Sequence, residues 1–381
     1  MKAAIIGTGE AGYTRHPRPD QNTHTFLRDA VVAALKDARL KPSDIDGLAI
    51  CSFSIDPDKA VDMAWRFGLS LRWLLHDTNG GASGMNMLGH AIRGIEAGAA
   101  SNIVIVSGDA LNAEQVAKVS SNYNRAIRDH VAPLGHSGPN SLFALLTQRQ
   151  MKAYGLTRQD YGHIAVAQRA WAAGNPGAVY RQPLTMEEYL ASPMVADPLT
   201  RFDCVPSCCG ASALVVSTAD RCPADRKPVH VRALRQSFNY DNQEGEGLKT
   251  GLSKVADDLW AAAGVGPDEI DLASIYDDYP AMVLAQLSDL RMIPGNDLAR
   301  FARVTIGEQR FPLNTSGGLL SAGQAGAAGG LNGTVEAVRQ LHRRAGDRQV
   351  PDARLAVVSG YGMVVYRYGA CAGAAVLERA S

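Results

Sequence analysis

The chain has 381 residues, of which 46% are hydrophobic and 20% are charged, so it is long enough and apolar enough for a two-part globular fold with a large core. Lysine plus arginine equals aspartate plus glutamate, at 38 each, and this balance does not favour nucleic acid or an anionic membrane as a partner. The N-terminus lacks a signal-peptide pattern, and no apolar run is long enough to span a bilayer. The six cysteines form no CxxC pair, so we expect free thiols and a cytoplasmic location.

Strands and helices alternate through the first part of the chain. The expected strands cover residues 3–6, 45–51, 69–75 and 102–108, and the expected helices cover residues 23–40 and 82–94. The strand at 102–108 is apolar throughout, which is typical of strands that are buried on both faces of a sheet. The alternation predicts a parallel or mixed sheet with helices on both faces.

Residues 112–199 differ from the preceding part because they are richer in polar residues, histidine, proline and tyrosine. We interpret this stretch as an inserted loop domain that covers the first half, with helices at 140–154 and 161–173. After it, strands and helices alternate again up to the C-terminus. The repeated plan predicts an internal duplication with halves at 1–219 and 220–381.

A predicted strand leads into a predicted helix through the glycine-rich stretch Asn79-Gly80-Gly81-Ala82-Ser83-Gly84-Met85. The N–H groups and the dipole at the start of a helix favour a developing negative charge, and adjacent glycines let a ligand approach the backbone. The stretch alone is equally compatible with a tight strand-to-helix turn that has no chemical role.

The same stretch resembles the nucleophile turn of the thiolase superfamily, in which Asn-x-x-Cys-Ala-Ser-Gly-Met places a cysteine at the start of a central helix. In this chain Gly81 stands at the cysteine position. Residues 163–169, 175–176 and 192–199 resemble the loop domain of sterol-carrier-protein-type thiolases. The resemblance implies a thiolase fold, with two similar halves in a five-layered αβαβα arrangement and an inserted loop domain. Helices 82–94 and 326–343 would form the central layer.

The resemblance also identifies the other catalytic positions, and neither expected histidine is present. Tyr276 stands at the histidine of the His-Asp-x-Phe pattern, and Gln324 stands at the histidine of the Gly-His-Pro motif. The second cysteine of the family corresponds either to Cys371, which fits the Cys-x-Gly pattern, or to Ala370, if the final strands are aligned. Tyr368 lies in the same last loop.

Thiolase-like aldolases of bacterial steroid side-chain degradation resemble this pattern, because they lack the nucleophilic cysteine and use tyrosines. The resemblance implies retro-aldol cleavage of a β-hydroxyacyl-CoA through a thioester enolate, which needs a base and an acid but no acyl-enzyme. We expect Tyr276 and Tyr368 to exchange protons with the β-hydroxyl and the enolate carbon, in an order that the sequence leaves open. Gln324 and the backbone N–H groups around Gly81 would hold the thioester oxygen. Gly81 would leave room for a bulky substrate where thiolases place sulfur.

Two other functions remain open from the sequence. The chain could be a non-catalytic subunit that binds acyl-CoA or lipid or acts as a scaffold. It could also be a non-standard acyl-CoA acyltransferase, which would need Cys371 or another thiol as its nucleophile. The identity of the acyl group and the direction of the reaction are not determined by the sequence.

The expected partners follow from the same resemblance. We expect a homodimer that forms across strand 102–108, taken as the edge strand of the first half. A small zinc-ribbon/OB-fold protein is the expected second partner. Because this chain carries no metal motif, zinc would belong to that partner, and the chain itself would need no cofactor beyond the coenzyme A thioester that is its substrate.

Overall fold

The computed structural model describes residues 2–122, 124–135, 138–242, 244–365 and 368–381, without the side chains of residues 120, 363–365 and 368–369. Its strands are β1 (Ala3–Thr14), β2 (Gly47–Cys51), β3 (Trp73–His76), β4 (Asn102–Asp109), β5 (Met194–Ala196), β6 (Leu199–Thr200), β7 (Cys209–Thr218), β8 (Val229–Phe238), β9 (Leu272–Ser274), β10 (Leu355–Val365) and β11 (Tyr368–Arg379). Its helices are α1 (Thr23–Ala38), α2 (Ala60–Arg66), α3 (Ser83–Glu96), α4 (Ala113–Ser121), α5 (Pro139–Tyr154), α6 (Arg158–Ala173), α7 (Met186–Ala191), α8 (Leu252–Ala263), α9 (Pro280–Asp289), α10 (Leu298–Arg300), α11 (Gly318–Ala322) and α12 (Gly329–Leu341).

The described strands form one mixed sheet in the order β3-β2-β4-β7-β1-β8-β11-β10-β9, and β5 and β6 pair separately. The first five strands of that order belong to the first half of the chain, and the last four belong to the second half. Among the described residues, the single pair Ile5 and Val229 joins β1 to β8. The sheet therefore consists of two half-sheets with one narrow connection between them.

The position of β4 contradicts the expectation that strand 102–108 is an edge strand. β4 pairs in parallel with β2 on one side and antiparallel with β7 on the other. All eight of its residues are buried, which agrees with the apolar composition of a strand covered on every side. Instead, β3 is the outer strand of the first half-sheet.

The layers follow from the hydrophobic clusters. One cluster contains residues of α3 and α12 together with residues of both half-sheets, so these two helices lie in the central layer, as predicted. A second cluster packs α1 and α2 on the other face of the first half-sheet, and a third packs α8 and α9 on the second half-sheet. The two central helices approach closely, because a Cβ on Gly84 would lie 1.7 Å from the carbonyl oxygen of Gly330. The five-layered prediction is confirmed.

The inserted segment packs differently from the sequence interpretation, which placed it over the first half. Phe143 on α5 and Ile164 on α6 belong to the hydrophobic cluster of the second half. α6 contacts α9 and α11, and α5 contacts α9. The segment therefore covers the second half-sheet. The division of the chain into domains at residues 219 and 220 remains a prediction.

β1 is much longer than the predicted strand at 3–6. Glycines at positions 7, 9 and 12 interrupt the apolar pattern, which is why the sequence interpretation ended the strand early. The structure gives one of them a packing role, because a Cβ on Gly9 would lie 2.3 Å from the carbonyl oxygen of Ala30 on α1. The absence of a side chain lets α1 lie directly on the strand.

Candidate active site

The glycine-rich turn between β3 and α3 is fixed by one buried carboxylate. Asp77 accepts a hydrogen bond of 2.8 Å from the N–H of Asn79, and it also accepts from the hydroxyl of Ser83 and the side-chain amide of Asn86. These contacts explain why polar residues occupy a buried segment. They give the turn a rigid shape, which is a structural role whether or not the turn takes part in chemistry.

Gly81 lies beneath an aromatic ring. A Cβ at this position would lie 2.3 Å from the carbonyl oxygen of Tyr361 and 2.5 Å from two ring carbons of Tyr276. Both distances are far below van der Waals contact, so no side chain fits at position 81 while Tyr276 keeps its place. The expectation that Gly81 leaves room for substrate is therefore wrong, because the ring of Tyr276 fills that space.

Tyr276 follows β9, and polar side chains hold its backbone on both sides. Its N–H donates to the hydroxyl of Ser359 at 3.2 Å, and its carbonyl oxygen accepts from the amide of Gln286 at 2.7 Å. The Ser359 hydroxyl in turn donates to Gln286 at 2.8 Å, which closes a small network on β10 and α9. This network positions the phenol independently of any ligand.

The hydroxyl group of Tyr276 lies in a positive electrostatic environment. The amide nitrogen of Gln324 donates to this oxygen at 2.8 Å. α12 begins at Gly329, and a Cβ on Gly329 would lie 3.2 Å from the same oxygen. An N–H donor and the N-terminal end of a helix both stabilise negative charge that develops on this oxygen.

Sequence reasoning missed a second polar pair. The hydroxyl of Tyr361 donates to a carboxyl oxygen of Asp278, and the Tyr361 ring meets the Tyr276 ring edge-on with centroids 4.8 Å apart. Burial raises the pKa of Asp278 well above its usual range, and the neighbouring Asp277 raises it further. One signal was available: Tyr361 stands between two glycines in a strand whose first four residues are apolar.

These residues line a cavity of about 340 Å³. We call Tyr276, Asp278, Gln324 and Tyr361 the polar cluster, because hydrogen bonds and a ring contact connect them. The apolar lining comprises Phe53, Leu111, Val116, Val119, Ile127, Pro139, Leu142 and Val205. In the part of the chain that the structure describes, the lining includes neither histidine nor cysteine.

Two of the remaining predicted positions, Cys371 and Ala370, lie outside this cluster. Cys371 is buried in β11 opposite Gly362, and burial raises the pKa of its thiol to about 11, which disfavours the nucleophilic thiolate. The neighbouring Ala370 accepts a backbone hydrogen bond from Asn239. The side chain of Tyr368 lies outside the described residues, so its predicted role remains a prediction.

Two further properties concern the described part of the chain as a whole. Its helices are too short or too polar to cross a bilayer. Over the same residues, histidine, cysteine and acidic side chains form no group of three that could hold a metal ion.

Comparisons with known proteins identify the family of the chain. A family model for a thiolase C-terminal domain-like region matches residues 239–378. A 17-hydroxy-3-oxo-4-pregnene-20-carboxyl-CoA lyase from Mycobacterium tuberculosis is 30% identical, over 89% of this chain and 91% of the relative. A steroid side-chain-cleaving aldolase from Thermomonospora curvata is 29% identical, over 95% of each protein.

A solved structure of an Ltp2-ChsH2(DUF35) aldolase superposes with a TM-score of 0.83 and 26% sequence identity, covering 99% of this chain and 98% of that chain. The match extends over both half-sheets and the inserted segment, since almost the whole chain is covered. This chain therefore belongs to the thiolase superfamily, in the sterol-carrier-protein-type branch that includes the steroid side-chain-cleaving aldolases.

Proposed function

We propose that the chain is a carbon–carbon lyase that cleaves a β-hydroxyacyl-CoA by a retro-aldol reaction. The observation that carries the proposal is the contact between Gly81, Tyr276 and Gln324. The nucleophile position is empty and covered by a phenol, and the phenol oxygen accepts a hydrogen bond from an amide. The arrangement provides proton transfer and charge stabilisation without a covalent acyl-enzyme.

The reaction begins when Tyr276, as phenolate, removes the proton from the β-hydroxyl group. The electrons of that O–H bond form the carbonyl group of the leaving aldehyde or ketone, and the bond between the α and β carbons breaks. The electrons of the broken bond form the enolate, whose charge lies on the thioester oxygen. A proton delivered to the enolate carbon then restores the thioester.

The enolate oxygen needs hydrogen-bond donors. The side-chain amide of Gln324 carries two hydrogens, and one of them is used by Tyr276. We assign the second to the thioester oxygen, together with backbone N–H groups of the turn at Gly81. With Tyr276 assigned as the base, Tyr368 is the residue that the sequence analysis predicts for the second proton transfer.

The apolar lining supports a large hydrophobic acyl group. The cavity is within the range of small-molecule sites, and most of its side chains outside the polar cluster are aliphatic or aromatic. The two relatives named above are a pregnene-carboxyl-CoA lyase and a steroid side-chain-cleaving aldolase. We therefore propose a steroid-type acyl-CoA as the substrate class.

We also propose a homodimer, formed across β3 rather than β4. β3 is an outer strand, its Leu74 is exposed, and the neighbouring α2 exposes Val61 and Trp65. An uncovered apolar edge of this kind would promote aggregation, so we expect a second copy of the chain to cover it. The second partner is a zinc-ribbon/OB-fold subunit that carries any zinc, and the complex is cytoplasmic.

The test is an assay of the purified chain, alone and with its partner subunit, on a steroid-type β-hydroxyacyl-CoA. We expect release of a ketone or aldehyde together with the shortened acyl-CoA, and we expect Cys371→Ala to retain the activity. Loss of activity in Cys371→Ala with an acyl adduct on the wild-type thiol would favour the acyltransferase. If no carbonyl compound is released under any condition, the lyase proposal is wrong and the binding or scaffold function is favoured.

A further inference from the structure

The two phenols of the polar cluster have opposite hydrogen-bonding roles. The oxygen of Tyr276 accepts a hydrogen from Gln324, which stabilises negative charge on that oxygen. The hydroxyl of Tyr361 instead donates to a carboxyl oxygen of Asp278. Tyr276 is therefore suited to accept a proton, whereas Tyr361 is suited to hold a carboxyl group in place.

Asp278 lines the cavity and lies among groups that carry no positive charge. The ionisable groups that face it are Asp277, Tyr279, Cys204 and Tyr361. Burial raises the pKa of Cys204 to about 12 and that of Tyr279 well above its usual value, so neither is ionised at neutral pH. Within the described residues, Asp278 takes part in none of the ion pairs found.

This environment favours the protonated form of the Asp278 carboxyl group. Burial raises its pKa most, and the neighbouring carboxyl of Asp277 raises it further. A buried carboxylic acid that stays neutral can act as a proton donor in an active site. The proposed retro-aldol reaction needs such a donor after the carbon–carbon bond has broken.

We propose that Asp278 is the general acid that protonates the enolate carbon, and that Tyr361 is the positioning residue that holds its carboxyl group. This inference rests on the proposed lyase function. The hydrogen bond from Tyr361 occupies one carboxyl oxygen and Asp278 lines the cavity, so we assign the acidic hydrogen to the other oxygen. The same hydrogen bond stabilises the carboxylate once its proton has left.

In the proposed step, the electron pair of the enolate forms a new C–H bond with the Asp278 proton. The O–H bond of the carboxylic acid breaks and leaves its electrons on the carboxylate. The thioester carbonyl group is restored as the charge leaves the oxygen. Before the next turnover, Asp278 takes up one proton from solvent and Tyr276 releases the one that it removed from the substrate, so no net proton is consumed.

The test uses the chain with its partner subunit and the variant Asp278→Asn, which preserves the shape of the side chain but has no acidic proton. We expect kcat to fall by ~10²–10⁴-fold, while one equivalent of carbonyl product per site still forms in the first turnover. Quenching into deuterated acid should then place deuterium on the α carbon of the thioester, because the enolate accumulates. Wild-type product quenched in the same way should carry hydrogen at that carbon.

Asp289→Asn is the matched control, because Asp289 is also a buried aspartate, it is bound to Thr250, and it lies outside the cavity. This control should behave as the wild type. Tyr361→Phe retains the acid but loses the hydrogen bond to its carboxylate, so it should lower kcat at least ~tenfold and give partial deuterium labelling. It also provides a second measurement if Asp278→Asn does not fold.

Three outcomes would overturn the inference. The first is wild-type kcat in Asp278→Asn. The second is a lowered kcat in Asp278→Asn without carbonyl product in the first turnover and without deuterium on the α carbon. The third is deuterium on the α carbon in Tyr368→Phe, with none in Asp278→Asn or Tyr361→Phe. This result would identify Tyr368 as the general acid. Failure of the lyase function itself is distinguishable, because the wild-type complex would then release no carbonyl compound.

Discussion

The polar cluster and the apolar lining come from different halves of the chain. Every member of the polar cluster follows residue 220, whereas every member of the apolar lining precedes residue 220. The cluster is held by hydrogen bonds among buried side chains, while Val116 and Val119 project from one face of the short helix α4. The second half therefore supplies the rigidly held catalytic side chains. The first half supplies the apolar wall of the cavity, and the shape of this wall can change without moving those side chains.

The largest effect should come from removing the base. Tyr276→Phe keeps the ring over Gly81 but removes the oxygen that Gln324 contacts, so kcat should fall by ~10²–10⁴-fold with little change in KM. Steady-state release of the carbonyl product measures this. The matched control is Tyr161→Phe, which removes a buried hydroxyl bound to Gln150 away from the cavity. Full activity in Tyr276→Phe would remove the basis for placing the chemistry in the second half.

Gly81→Ala should have the next largest effect, because it brings a first-half side chain into the polar cluster. The added Cβ would lie 2.5 Å from the Tyr276 ring, so the ring must move. We expect kcat to fall at least ~10²-fold, as for an ångström-scale misplacement. Overpacking should also lower the free energy of unfolding by about 1–3 kcal/mol. Denaturant titration and the product assay measure the two effects.

Gly12→Ala is the control for that variant, since a Cβ on Gly12 would meet no atom within 4 Å. Gly12→Ala should change neither kcat nor the free energy of unfolding. If Gly81→Ala retains both stability and activity, the close contact between the turn and Tyr276 is not required for catalysis.

The pH dependence of kcat should be set by titratable groups in and next to the polar cluster and not by the apolar lining. Burial raises the pKa of Asp277 to about 8, and burial together with Asp277 raises the pKa of Asp278 well above its usual value. A raised pKa means that the proton is lost at a higher pH than from an ordinary carboxyl group. Because the proposed acid must be protonated, kcat should be constant near neutrality and should fall as the coupled pair loses its protons at alkaline pH.

A pH series of kcat for the wild type, Asp278→Asn and Val116→Ala checks this. The alkaline fall should disappear in Asp278→Asn and persist unchanged in Val116→Ala. A wild-type kcat that rises with pH over the same range would contradict a neutral carboxylic acid in the cavity.

The smallest effect should come from the apolar lining. Val116→Ala removes two methyl groups, which are worth about 1.6 kcal/mol if the substrate buries them completely. KM should therefore rise by about 15-fold at most, and kcat should stay within twofold, because Val116 has no role in proton transfer or charge stabilisation in the proposed scheme. Kinetics on a short-chain β-hydroxyacyl-CoA should show no such rise in KM. A loss of kcat instead would indicate that the first half takes part in the chemistry.

The sequence was sufficient for the fold and for half of the polar cluster. Motif positions identified Tyr276 and Gln324 as replacements for two histidines, and the structure joins them by a hydrogen bond. The order of strands was harder to infer. The apolar composition of β4 indicates burial on both faces but does not say which strands lie beside it.

The contacts that were missed depend on side-chain direction. Tyr361 and Gly81 are distant in sequence, and their contact arises because β10 passes beside the turn before α3. Asp278 was visible next to Tyr276, yet its protonation depends on burial and on the absence of a nearby cation, which only the folded chain reveals. The sequence shows that position 81 has no side chain, but it does not show that the ring of Tyr276 fills the space.

The overlap between Gly81 and Tyr276 limits the order in which this site could have changed during evolution. With tyrosine in its present orientation, any residue larger than glycine at position 81 collides with the ring. An ancestor with cysteine there could not have acquired the tyrosine first without displacing it. Losing the old nucleophile had to precede or accompany the gain of the new base, and restoring cysteine alone would block the site instead of recovering the older activity.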